Sequence, residues 1–289
     1  MTAREMLTEI RRRLQEAGIE DFAYESWLLL EWKLHINRAD FYMDPGRIIG
    51  ETEQNELESV LKKREKRIPL QYLMEECSFM GYTFYVDNHV LIPRQDTECL
   101  VEYAAGQIEG HPEHPGEGRI LDLCTGSGCI GLSVAKFCPQ AAVVLSDISP
   151  EALAVAEKNA ERLGCHVTLI ESDLFEKIEG TYDVILSNPP YIPSREIETL
   201  MPEVKDYEPR LALDGEEDGL AFYRRIIRQA PEYLNPGGRL VMEIGADQGN
   251  DLKHGMESAG FSQVEIRKDL AGRDRIATGI SNHRRKKDV

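Results

Sequence analysis

The chain has no apolar run near the ~18–20 residues that a membrane-spanning helix requires. Its six cysteines (Cys77, Cys99, Cys124, Cys129, Cys138 and Cys165) form no Cys-x-x-Cys pair and no Cys/His spacing suited to a metal, so they read as buried free thiols. His111 and His114 lie in "GHPEHPGEG", where proline and glycine indicate a solvated loop rather than a ligand set. There is no internal repeat and no low-complexity tract. Basic residues are in short supply: 34 Lys and Arg stand against 51 Asp and Glu, a formal net charge of −17. Generic nucleic-acid binding depends on cations that neutralise phosphates, so this balance argues against it and favours a basic protein partner. The basic stretches "LKKREKR" (61–67) and "HRRKK" (283–287) read as a solvated helix face and a loose terminus. The first residues, "MTAREMLTEIRRRLQEAG", are charged and amphipathic, without the apolar core of a secretory signal, and a cytoplasmic location is expected.

What is present divides the chain into three. Residues 1–75 read as helices, with apolar positions three and four apart in Met6, Ile10 and Leu14 and again in Trp27, Leu30 and Leu34. Residues 76–95 read as a β-hairpin linker turning at Asp87-Asn88. A helix is expected from about 96 to 109, its acidic "DTE" start suiting the helix dipole. From 118 onward, strands ("GRILDL", "AAVVLSD", "HVTLIES", "YDVILSN", "GRLVMEIG") alternate with helices, one of them capped by Ser149 with Pro150 at its first position. This is the pattern of a doubly wound, mostly parallel α/β sheet, whose ligands bind at the carboxyl ends of the strands.

The first of those strands ends in "LDLCTGSGCIGL". Gly126, Gly128 and Gly131 give Gly-x-Gly-x-x-Gly, and Asp147 closes the next strand. Glycines allow close backbone approach and a carboxylate accepts two ribose hydroxyls, so any adenosine cofactor fits. Three features favour S-adenosylmethionine over a nicotinamide. Asp122, just before the loop, suits an ammonium group and repels a pyrophosphate. The motif lies well inside the chain, behind helices. Asp173 and Leu174 in "ESDLF" offer a polar group and an apolar wall to an adenine.

"SNPPYI" (187–192) follows the fourth strand. Two prolines cannot extend a ladder, because neither has an N–H to donate. They can stiffen a turn that presents two acceptors, the Asn188 side-chain oxygen and the Pro189 carbonyl. An amide –NH2 is a poor nucleophile, and gripping both its N–H groups orients the nitrogen and stabilises positive charge as it develops. Tyr191 offers a face on which a planar group can stack. By itself the tetrapeptide fits a glutamine amide, an adenine or a guanine equally.

The wider pattern narrows this. "PLQYLMEECSFMGYTFYVDNHVLIPRQDTECLVE" (69–102), "DLCTGSGCIGLSVA", "SNPPYIP", "YEPRLALDGEEDGL" (207–220) and "DLAGRDR" (269–275) closely resemble, in this order, the HemK/PrmC family of release-factor N5-glutamine methyltransferases. The resemblance covers nearly the whole chain, residues 1–68 least specifically. It implies a Rossmann-like class I methyltransferase domain (96–289) behind a small helical N-terminal domain that helps dock the substrate. That substrate would be the glutamine of the Gly-Gly-Gln loop in class 1 peptide chain release factors. It further implies that Asn188, Pro189, Pro190 and Tyr191 hold the glutamine amide. The cofactor would be held by Asp122, Thr125, Gly126, Gly128, Asp147, Ile148, Asp173, Leu174 and Asn188, with Arg94 and Thr97 of "IPRQDTE" lining the same cleft. Gln95 and Cys124 stand where many relatives have proline and glycine. The rival readings are an amino-group methyltransferase of nucleic acid, a glutamine methyltransferase of a ribosomal protein, a nicotinamide dehydrogenase and a non-catalytic adaptor. No metal is expected in any step.

Overall fold

A computed structural model describes residues 1–109 and 116–282. His111, His114 and the basic stretch 283–287 lie outside the described residues.

The chain forms two compact units. The first comprises Met1–Met74 together with Met201–Tyr207. Its helices span Ala3–Glu16, Phe22–Leu34, Arg38–Met43, Glu51–Arg64, Leu70–Met74 and the short Pro202–Lys205. The first opens on a reciprocal cap, with Glu5 N–H donating to the Thr2 hydroxyl and Thr2 N–H to the Glu5 carboxylate. The apolar spacing read from the sequence becomes its buried stripe of Met6, Ile10 and Leu14, facing Leu29, Leu30 and Leu34 of the next helix. Arg64 is buried and donates to Glu25 at 2.7 Å and to Glu203 at 3.0 Å, while Arg67 donates to Glu203 at 2.7 Å. Those pairs hold Met201–Tyr207 among the helices, although the sequence places it far from them.

The second unit comprises Glu75–Leu200 and the chain from Glu208 onward. It begins with a hairpin, β1 (Cys77–Phe79) and β2 (Tyr82–Phe84), whose turn is Met80-Gly81, both at positive φ, not the expected Asp87-Asn88. Asp87 instead accepts from His89 N–H at 3.0 Å, closing a local turn of its own. Nor is the hairpin a free linker: Phe79 and Phe84 are buried with Leu100, Val101 and Ala104 of the helix Glu98–Glu109.

The main sheet has β3 (Arg119–Leu123), β4 (Ala142–Asp147), β5 (Thr168–Glu171), β6 (Tyr182–Ser187), β7 (Leu234–Glu243), β8 (Phe261–Lys268) and β9 (Asp274–Ser281) in the order β5-β4-β3-β6-β7-β9-β8. The first five are parallel; β9 pairs antiparallel with β7 and β8. β3 and β6 are almost wholly buried because helices cover both faces, which is why they read as continuous apolar runs. One core layer contains Ile120, Leu145 and Leu186, the other Leu121, Ile185 and Leu240. After β5 the chain crosses back to the far side of β3, so the topological switch lies between β3 and β6. Among the described residues no helix is long and apolar enough to cross a membrane.

Candidate active site

A cavity of about 340 Å³ opens over the carboxyl ends of β3, β4, β5 and β6, beside the switch. Of the residues singled out in the sequence, Thr125, Gly126, Asp147, Ile148, Asp173, Leu174, Asn188 and Pro190 line it. Asp122, Gly128, Arg94, Thr97, Pro189 and Tyr191 do not.

The loop after β3 is held from both sides. Asp147 accepts from Gly126 N–H at 2.9 Å and from Ser149 N–H at 3.0 Å, so one carboxylate ties β4 to the glycine loop. Burial raises its pKa, and these backbone donors oppose the rise. Asp122, expected at the cofactor, sits beneath the loop, fully buried. Its Oδ2 accepts from the Thr125 hydroxyl at 2.6 Å and from Gly131 N–H at 3.0 Å, and its Oδ1 has no partner. Burial pushes this carboxyl up to about 7 against those two hydrogen bonds. Gly128 caps the helix Cys129–Phe137 rather than facing the cavity.

Asn88–Leu91 form another part of the cavity wall, and its anchor was not legible in the sequence. Asn159, wholly buried in the helix Pro150–Leu163, accepts from Tyr85 N–H at 2.6 Å. It donates to the Tyr85 and Ser127 carbonyls, both at 2.9 Å. One amide thus joins the glycine loop to the chain leading into that wall. Nothing in "AEKNAER" marks it, because its partners lie far away in sequence. Arg225 from the helix Ala221–Tyr233 donates to Asp173 at 2.8 Å, and both residues line the cavity.

Asn188 follows β6, and Ser187 anchors that strand end by donating to the Leu123 carbonyl at 2.9 Å. The turn it begins is braced from "LDGEEDG" (213–219). Ile192 N–H donates to the Leu213 carbonyl at 3.0 Å, and Gly215 N–H to the Ile192 carbonyl at 2.9 Å. A Cβ on Gly215 would come within 2.8 Å of the Tyr191 backbone, and one on Gly219 would run into the Tyr191 carbonyl, so both positions need glycine. Gln248, another residue with no sequence signal, donates to the Tyr191 carbonyl at 3.1 Å and accepts from Gly245 N–H at 2.9 Å. Tyr191 itself packs half-buried against the core, and burial pushes its phenol up to about 12.

Arg94 is tied elsewhere: its guanidinium grips Glu208 at 2.6 and 2.7 Å, beside the cavity-lining Pro209 and Leu211. Thr97 is buried and faces Glu243, the last residue of β7. Arg275 bridges Asp96 at 3.1 Å and Asp269 at 3.2 Å. "IPRQDTE" and "DLAGRDR" therefore meet through Asp96 and Arg275.

Two family models match: "PrmC N-terminal domain" over residues 5–74 and "Methyltransferase small domain" over residues 108–204. Over 279 residues, 96% of each chain, the sequence is 42% identical to the release factor glutamine methyltransferase of Geobacter sulfurreducens. It is 40% identical to that of Clostridium acetobutylicum over 285 residues, 97% of this chain and 99% of the relative. Among solved structures, the hMettl16 catalytic domain in complex with the MAT2A 3'UTR hairpin 6 is similar with a TM-score of 0.56 at 17% identity, covering 83% of this chain and 86% of that one. A methyltransferase from Pyrococcus furiosus gives 0.52 at 19% identity, over 77% and 99%. At those identities the two structures speak to the fold alone.

Proposed function

This chain belongs to the family of release factor glutamine methyltransferases, and on that premise we propose which atom it modifies and with what. It transfers a methyl group from S-adenosylmethionine to the side-chain nitrogen, N5, of the glutamine in the Gly-Gly-Gln loop of class 1 peptide chain release factors, in the cytoplasm. What most supports the reading is that Asn188, suited to gripping an amide, and Asp147, suited to ribose hydroxyls, line one cavity.

The residues present fit the cofactor. Gly126 leaves the backbone bare at the cavity, and a Cβ there would project into open space. Asp147 would take the ribose hydroxyls on the lone pairs that Gly126 and Ser149 leave free. Asp173 and Leu174 would offer the adenine an edge and a wall, with Thr125 and Ile148 completing the enclosure. When bound, S-adenosylmethionine supplies an electrophilic methyl group on its sulfonium.

The chain's task is then positioning and electrostatics. Asn188 Oδ1 and the Pro189 carbonyl accept the two N–H groups of the glutamine amide. This points the nitrogen lone pair into the cavity and stabilises the positive charge that grows on nitrogen. Tyr191, held as a neutral phenol, gives the amide plane an apolar face. No nucleophile from the chain takes part: Cys124 and Cys129 line the cavity, but burial raises both thiols far above neutrality.

The test is methyl transfer from labelled S-adenosylmethionine, offered separately to an unmodified release factor and to bulk DNA and RNA, with peptide mass spectrometry to locate the label. Label on the Gly-Gly-Gln glutamine is the expected result. Label confined to nucleic acid would keep the chemistry and overturn the substrate.

A further inference from the structure

Glu243 ends β7 one residue beyond Met242, which is in register with Ser187 of β6. The parallel pairing therefore sets Glu243 next to Asn188. Its side chain is buried at 2% exposure, and its Oε2 has no hydrogen-bond partner. Asn188 and Thr97 are the polar side chains that act on this carboxyl, each drawing its pKa down against burial. Leaving a buried carboxyl oxygen unpartnered costs stability, so its presence here calls for another explanation.

The explanation lies in the two ends of an asparagine. Its C=O and –NH2 are nearly the same shape but opposite in hydrogen-bonding sense, and only the oxygen can accept an N–H from another amide. With –NH2 turned into the cavity, Asn188 would offer donors to a substrate group that itself donates. We propose that Glu243 is a positioning residue: by accepting from Asn188 Nδ2, it selects the orientation in which Oδ1 faces the cavity. This rests on the function proposed above, in which Asn188 accepts from the glutamine amide.

A carboxylate is suited to this role because it only accepts. A protonated carboxyl, or a glutamine, can donate to Oδ1 and draw it away from the substrate. The groups facing Glu243 from the neighbouring elements are Arg275 of β9, Asp96 and Cys99 before and within the helix Glu98–Glu109, Tyr191 of the turn, Tyr223 of the helix Ala221–Tyr233, and Cys129. Arg275, the one cation in that set, is shared with Asp96 and Asp269. The balance holds the carboxyl near 7, so its state changes across the neutral range.

The deciding experiment is a double-mutant cycle of Glu243→Gln and Asn188→Ala, read by steady-state methyl transfer to a release factor. Calorimetric titration with S-adenosylmethionine reports whether each variant is folded and binds. We expect Glu243→Gln to lower kcat by about 10- to 100-fold while cofactor affinity stays within about twofold. The double variant should lose no more than Asn188→Ala alone, because Glu243 acts through Asn188. Wild-type kcat should rise between about pH 6 and pH 8, and the rise should vanish in Glu243→Gln. Normal turnover in Glu243→Gln, or losses that multiply in the double variant, would overturn the assignment. If Glu243→Gln fails to bind cofactor, the wild-type profile decides, and a flat one overturns it. A wild-type enzyme that leaves the release-factor glutamine unmodified would instead overturn the function proposed above, and this inference with it.

Discussion

Asn188 and Asp147 line one cavity; the function proposed above gives them different tasks, and substitution should separate them. In the proposed mechanism Asn188→Ala removes the acceptor that stabilises charge growing on the substrate nitrogen. It should lower kcat by on the order of 10²–10³ while S-adenosylmethionine still binds, and unchanged turnover would rule out the mechanism. Asp147→Ala should act on binding. Each charge-assisted hydrogen bond lost is worth roughly 1.5–3 kcal/mol, or about 10- to 150-fold in Kd by calorimetry. Because Asp147 also holds Gly126 and Ser149 N–H groups, its loss should loosen the glycine loop as well. Both residues were legible in the sequence because strand-end position and side-chain chemistry are local properties. Asp122 was legible as a carboxylate beside the loop, but its orientation was not, since only folding turns it beneath Thr125 and Gly131.

At the scale of elements, two buried groups hold segments that are remote in sequence. Asn159→Ala would leave the Tyr85 N–H and the Tyr85 and Ser127 carbonyls without their partner. At about 1–3 kcal/mol for an unmet buried group, denaturant unfolding should report a loss of several kcal/mol. Weaker cofactor binding should accompany it, because Asn88–Leu91 forms the cavity wall. Glu203→Ala removes the carboxylate shared by Arg64 and Arg67 and leaves the buried Arg64 with Glu25 and the Ile68 carbonyl. A loss of about 2–3 kcal/mol is expected, read as faster amide exchange in residues 1–74 and 201–207. Unchanged exchange there would show that Met201–Tyr207 is held by other means. The elements themselves were largely foreseeable where the signal is local, as for the helix begun by Ser149 and Pro150. The hairpin turn was misplaced because Asp87-Asn88 carries the stronger turn chemistry, whereas Met80 adopts positive φ in a hairpin held by the packed rings of Phe79 and Phe84.

For the molecule as a whole, stability should depend on pH in an unusual direction. Burial lifts Asp122 from 3.8 and Glu243 from 4.5 to about 7. In the window between those values the folded chain keeps protons that the unfolded chain releases, so stability falls as pH rises and levels off above neutrality. Carboxylates with lowered pKa, such as Glu203 and Asp214, contribute fully above their unfolded values and do not vary in this window. The ligand-free protein should therefore melt higher at about pH 5.5 than at about pH 8, by on the order of 5 °C. Asp122→Asn should reduce the difference to the part that Glu243 contributes, and a melting temperature that rises with pH would contradict the burial argument.

The alternation of strands and helices, the net acidic charge and the chemistry at each strand end are already present in the linear chain. Those follow from residue type, spacing and chain order, which need no third dimension. Tertiary structure decided which of these groups meet. It put Asp122 under the glycine loop, Arg94 on Glu208, Asn159 between two distant backbones and Met201–Tyr207 among the helices. It also set Glu243 beside Asn188, because a parallel sheet pairs residues by register, and register is settled only when both faces of the sheet are buried at once.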